Sequence, residues 1–166
     1  MQKPTAGRPH MPAYGILPAT EGSGLLPWPW AVERLIRSHD YWLATVRPDG
    51  HPHVMPVWGV WAEDAFWFSS AKDSRKVRNL ATNPNAVVTT DNPLDPVVVE
   101  GVVELIPEHE KVAQFAAWVD EKYHTTYGVE FFDSAGNGCF RLSPSWAFGV
   151  RESDFLGSPT RWRFPR

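Results

Sequence analysis

Apolar residues recur along this chain mainly with the two-residue period of strands. The run YWLATVR (41–47) leads into Pro48-Asp49-Gly50, a strong turn signal, and residues 53–61 continue as its partner. A hairpin is therefore predicted over 41–61. Pro56 falls inside the second strand and cannot donate to a ladder, so it marks an edge, a bulge or a place where something other than a strand meets the backbone. A turn at Ala62-Glu63-Asp64 precedes a third strand over 66–70, a polar loop over 71–73 and a helix opening at Ser74. Asn83-Pro84 stops that helix, because the residue before a proline disfavours the helical region. Strands follow at 86–90 and 97–106. The latter, VVVEGVVELI, is largely apolar on both faces and broken by Gly101, as a bent and well-covered strand would be.

Two segments carry the helical period instead. Trp30, Leu35 and Ile36 place a short helix over 30–38, and Val112, Phe115, Ala116, Val119 and Tyr123 place a longer one over 108–123. A loop at 136–138, closing strands at 139–143 and 146–151, and a tail ending TRWRF (160–164) complete the chain. Many short antiparallel strands with few helices predict a mainly β fold closed into a barrel, since closure hides bare edges.

At 166 residues the chain is one ordinary domain. Residues 1–27 are rich in proline and glycine and lack periodicity; they read as an extended arm, wrapping a partner subunit or else disordered, ahead of a single domain over 28–166. A net charge of −3 gives no global polycation for nucleic acid. The single Cys139 excludes a disulfide framework and a cysteine-based zinc site, and is expected to be a small buried hydrophobe. Neither a membrane-length apolar run nor a signal-peptide pattern is present, so a cytoplasmic protein is expected. Nine Trp and nine Phe supply either core or the flat walls of a pocket or interface.

The densest chemistry lies at the turn between the third strand and its helix. Ser69, Ser70, Lys72, Ser74, Arg75, Lys76 and Arg78 fall within ten residues. A helix N-terminus presents unpaired N–H groups and positive dipole potential, and its first turn normally carries Asp or Glu. Here Arg75 and Lys76 stand there, which points to a bound phosphate; a solvated basic face is the plainer alternative. Other candidates are thinner. No serine sits in a G-x-S-x-G elbow, and His51 and His53 share a strand face without a third ligand at metal-like spacing. Glu100 and Glu104 fit a solvated strand face, and Glu108 and His109 a helix surface. A phosphate anchor beside the proline-interrupted, aromatic strand VMPVWGVW (54–61) suggests a planar, flavin-like cofactor lying along the backbone.

The order ATVRPDGHPHVMPVW, FWFSS, SRKVRNLATNP and VVVEGVVEL resembles the pyridoxamine 5′-phosphate oxidase-like superfamily of FMN- and deazaflavin-binding split β-barrels, over residues 28–150. The most specific part is S-R-K-x-x-N-L-x-x-N-P at 74–84. The resemblance implies a homodimer with two cofactor sites at the subunit interface. Ser69, Ser70, Ser74, Arg75 and Lys76, with Arg78 and Asn79 on the same helix, would surround the phosphate. His53, Val54, Met55, Pro56, Val57 and Trp58 would run along the ring, and Trp162 with Arg161 or Arg163 would complete the site. Pyridoxamine phosphate oxidases carry R-x-x-L-L-K on the ring-side strand, where this chain reads MPVWGV (55–60), so vitamin B6 oxidation is not expected. That uncharged strand followed by Lys76-Val77-Arg78-Asn79-Leu80 looks more like the branch that uses coenzyme F-420. The expected activity is hydride transfer between bound F-420 or FMN and a small organic substrate, with no metal. The alternatives are a non-catalytic flavin, F-420 or haem carrier with His53 or His124 as haem ligand, an FMN-dependent pyridoxamine phosphate oxidase-like enzyme, or a scaffold dimer with a degenerate site.

Overall fold

A computed structural model describes residues 3–165. In chain order the elements are β1 (Thr5–Gly7), α1 (Trp28–Arg37), β2 (Tyr41–Val46), β3 (Pro52–Val57), β4 (Val60–Ala62), β5 (Ala65–Ala71), α2 (Arg75–Thr82), β6 (Asn85–Thr90) and β7 (Val97–Ile106). After them come α3 (His109–Tyr123), α4 (Gly128–Phe132), β8 (Asn137–Gly149), a 3₁₀ turn (Glu152–Asp154) and β9 (Thr160–Arg163). All pairings are antiparallel, in the order β1-β9-β8-β7-β6-β2-β3, with β5 joining β4 to β8 off that path.

The barrel is split rather than closed. β3 pairs with β2 alone and ends the sheet, so Pro56 sits on an edge, where a missing donor is tolerated. The predicted second hairpin strand is two strands. It breaks at Trp58 and Gly59, after which β4 leaves β2 and pairs with β5. The two predicted closing strands are one. β8 runs through Pro144, which faces Gly101 of β7 at a register shift, and here it exchanges partner β5 for β9. Gly101 permits this approach, since a Cβ there would lie 2.2 Å from the Ser143 carbonyl oxygen.

Both faces of β5 are covered. Phe66 and Phe68 enter the barrel core with Leu43, Val88, Leu142 and Trp162. Ala65 and Trp67 face a second cluster under α3 and α4, built on Val112, Phe115, Ala116, Val119 and Phe132. Cys139 belongs to the second cluster as a buried thiol, and burial pushes its pKa up to about 12. Among the described residues, no helix is long and apolar enough to cross a membrane.

Part of the proline-rich stretch is tied to the domain. β1 pairs with β9, and the Arg8 guanidinium donates to the carbonyls of Pro159 (2.8 Å), Gly157 (2.9 Å) and Pro18 (2.9 Å). One side chain thus holds arm and C-terminal segment together. Arg8→Ala is expected to lower stability by about 2–4 kcal/mol, the range for losing several hydrogen bonds to a charged group. Hydrogen exchange should accelerate at Thr5–Gly7 and leave β7 unaffected; unchanged exchange at both would contradict this role for Arg8.

Candidate cofactor site

Helix α2 begins as its sequence dictates. Ser74 is extended and caps it, its Oγ accepting from Val77 N–H at 3.4 Å, and no acidic residue occupies the first turn. Above this end Lys76 Nζ donates to Ser70 Oγ at 3.1 Å, and Ser70 Oγ lies 3.0 Å from Ser74 Oγ. The hydroxyls and ammonium therefore form one connected group at the C-terminal end of β5. Among the described residues no carboxylate pairs with Arg75, Lys76 or Arg78. Burial lowers the pKa of Lys76, as expected of an ammonium without a counterion. His53 of β3 faces the same cluster. Its Nδ1 is shut off from solvent and has no partner among the described residues, and desolvation, then Arg47, Lys76 and Arg75, lower its pKa. A positive, donor-rich group of side chains at a helix N-terminus suits an anion.

Beside this group opens a cavity of about 350 Å³. Ser69, Ser70 and Lys76 line its polar end, and Pro56, Val57 and Trp58 bring the end of β3 into it. The remaining wall is Phe115 and Val119 of α3 with Tyr127, Phe131 and Phe132 around α4. Tyr127 and Phe131 stack at 4.7 Å between ring centroids, both partly exposed, while Phe132 is buried against Phe115. One end thus offers charge and hydrogen-bond donors, the other flat apolar surface. This is the polarity of a phosphorylated ring compound.

A family model described as pyridoxamine 5′-phosphate oxidase matches residues 30–150. The chain belongs to that family. Its split barrel is shared with an F-420 reductase, 28% identical, with a TM-score of 0.58, over 69% of this chain and 93% of that one. A conserved hypothetical protein from Mycobacterium tuberculosis is 20% identical with a TM-score of 0.67, over 85% of this chain and 90% of the other. A haem-binding protein from Mycobacterium smegmatis is 19% identical with a TM-score of 0.62, over 80% and 62%. The last two likenesses concern the fold. No curated protein matches the chain.

Within this pyridoxamine 5′-phosphate oxidase family chain, the expected site residues fall into three groups. Pro56, Val57, Trp58, Ser69, Ser70 and Lys76 line one cavity; Ser74 bonds to the Ser70 hydroxyl, Arg75 follows it on α2, and His53 on β3 is near enough to Lys76 and Arg75 for their charges to lower its pKa. Val54 and Met55 are exposed on the β3 edge and Arg78 is exposed on α2. Asn79 and Trp162 are not brought to the cavity surface. Asn79 is fully buried and donates to Thr45 Oγ1 at 3.0 Å, anchoring α2 to β2. Trp162 is fully buried in the barrel core, 5.3 Å from the Trp28 ring, and its neighbour Arg161 donates from Nε to the Arg8 carbonyl at 2.8 Å. Sequence reasoning missed the α4 wall. Its only trace was the aromatic spacing of Tyr127, Phe131 and Phe132, too short a segment to show a period.

Proposed function

We propose that this chain is an oxidoreductase that binds coenzyme F-420, or failing that FMN, in the cavity between β3, β5 and α3–α4. The observation that carries the reading is the uncountered basic group at the start of α2, opening directly onto an aromatic cavity. Arg75 and Lys76 neutralise the phosphate, and the Ser70 and Ser74 hydroxyls and the α2 dipole add donors. The unladdered edge of β3 offers backbone N–H and C=O groups to the ring. Phe115, Val119 and Phe132 keep water from the apolar end. When bound, the ring supplies the hydride chemistry for a small organic substrate; the protein contributes position and electrostatics. No side chain is assigned as proton donor, since water suffices to protonate a hydride acceptor.

The uncharged β3 and the Lys76-Val77-Arg78-Asn79-Leu80 helix favour F-420 over FMN, and likeness to an F-420 reductase supports that order. The unpaired β3 edge, with exposed Val54 and Met55 and exposed Trp42 on the neighbouring β2, supports a homodimer with two equivalent sites at the subunit interface. A cytoplasmic location fits a phosphorylated, soluble cofactor. The haem reading has less support, because His53 stands beside Arg47, Arg75 and Lys76 and His124 is exposed at the end of α3.

Equilibrium titration of the purified chain with F-420 and, separately, FMN tests the reading by ligand fluorescence. Tight F-420 binding with weak FMN binding is expected. Preference for FMN would move the protein to the flavin enzymes of the family, and binding of neither would overturn the proposal.

A further inference from the structure

Gly59 lies in the break between β3 and β4, and its peptide groups are held by the last residues of α3. Its carbonyl accepts from Lys122 Nζ at 2.9 Å, and its N–H donates to the Tyr123 hydroxyl at 2.9 Å. That hydroxyl donates to the His39 carbonyl at 2.7 Å. Lys122 also donates to the Tyr41 hydroxyl at 2.7 Å, and its ammonium lies 4.6 Å and 5.2 Å from the Tyr41 and Tyr123 ring centroids. Among the described residues no carboxylate pairs with Lys122, so its charge is spent on this clamp. Only glycine fits at position 59, since a Cβ there would meet the Phe66 ring at 2.3 Å.

The residue before this clamped glycine is Trp58. Its indole stacks on Tyr123 with centroids 4.2 Å apart and 4° between the planes, and the His39 ring stands edge-on to both. One face of Trp58 is therefore covered, yet the residue remains 43% exposed and lines the cavity. A large aromatic surface left open to a pocket, backed by a ring stack and followed in the chain by a glycine held through two hydrogen bonds, is a preorganised contact for another flat ring.

We propose that Lys122 and Tyr123 are positioning residues that clamp Gly59 and so hold Trp58 as a fixed stacking platform for the ring of the cavity's ligand. The inference rests on the flavin-type reading of the cavity. To the ring-side strand that the resemblance already implies at Trp58 it adds two α3 residues outside the quoted motifs, Lys122 and Tyr123, which fix how Trp58 is presented. The phosphate end sets affinity for the tail, while Trp58 sets the angle at which the ring lies.

A stacked indole quenches flavin and deazaflavin emission by electron transfer, which separates stacking from binding. Wild type, Trp58→Leu, Lys122→Met and Tyr123→Phe are titrated as full chains with FMN and with F-420, measuring the dissociation constant by calorimetry and the emission lifetime of the bound ring. Several-fold quenching is expected in wild type, with loss of quenching and roughly ten-fold weaker binding in Trp58→Leu, the scale of one aromatic stack. Lys122→Met and Tyr123→Phe should recover part of the emission with smaller changes in affinity. Tyr123→Phe keeps the ring and the fold, so it decides the matter if Lys122→Met does not fold. Binding with wild-type quenching in Trp58→Leu, or in Tyr123→Phe, would overturn this inference alone. Absence of binding in wild type would overturn the flavin-type reading, and the platform with it.

Discussion

Changing Arg75 and Lys76 together to Ala is expected to weaken binding of FMN or F-420 by roughly a hundred- to ten-thousand-fold, the cost of two charge-assisted contacts at about 1.5–3 kcal/mol each. Both residues stand at the start of α2, and among the described residues no carboxylate pairs with either, so no ion pair is lost with them. Riboflavin, which carries the ring without the phosphate, should bind wild type and double variant alike. The FMN affinity of wild type should also fall with rising salt, because part of the attraction is screened. Calorimetry at two ionic strengths checks both points. Equal losses for FMN and riboflavin would place the damage in the fold rather than in an anion site, and no loss for FMN would remove the phosphate anchor. Folding should survive the change. Arg75 is exposed, and among the described residues the Lys76 ammonium bonds to Ser70 alone, so little packing is lost.

Trp162→Ala should do the opposite: reduce stability by about 3–5 kcal/mol, the range for truncating a buried aromatic residue, and leave the ligand affinity of the folded protein unchanged. Trp162 is among the largest fully buried side chains, and Trp28 meets its ring edge-on. Gly149 passes so close that a Cβ would come within 3.1 Å of the Trp162 ring. Trp162→Phe should cost less, because it refills most of the volume and removes an indole N–H that has no partner. Urea unfolding followed by FMN and F-420 titration of the refolded chains measures both quantities. A drop in affinity at unchanged stability would return Trp162 to the cofactor site.

Local order was legible because it is written in neighbouring residues. The α3 stripe from Val112 to Tyr123 matches the buried face of the helix, and Ser74 and Asn83-Pro84 bound α2 as their capping and pre-proline chemistry requires. The basic cluster was legible for the same reason, since Ser70, Ser74 and Lys76 are near neighbours that a single strand-to-helix turn brings into one hydrogen-bonded group. The missing donor of Pro56 limited it to an edge, a bulge or a non-strand contact, and the sheet order makes it an edge.

What lay beyond the sequence were the long-range choices. A strand's period says which residues share a face, but not which neighbour that face will meet. Thus 139–151 reads as two strands, and only the partners β5, β7 and β9 make it one, with Pro144 where the partner changes. Trp162 and Asn79 have the residue types of a site, and tertiary packing places them in the interior. The aromatic wall from α3 and α4, and the grip of Lys122 and Tyr123 on Gly59 across more than sixty residues, exist only once the helices dock on β4 and β5. By itself the sequence determined most of the strands and helices and the clustering of basic residues at the start of α2, because those rest on near neighbours along the chain. Tertiary structure decided the cavity, its apolar wall and the split of the barrel, because those depend on which distant surfaces bury each other.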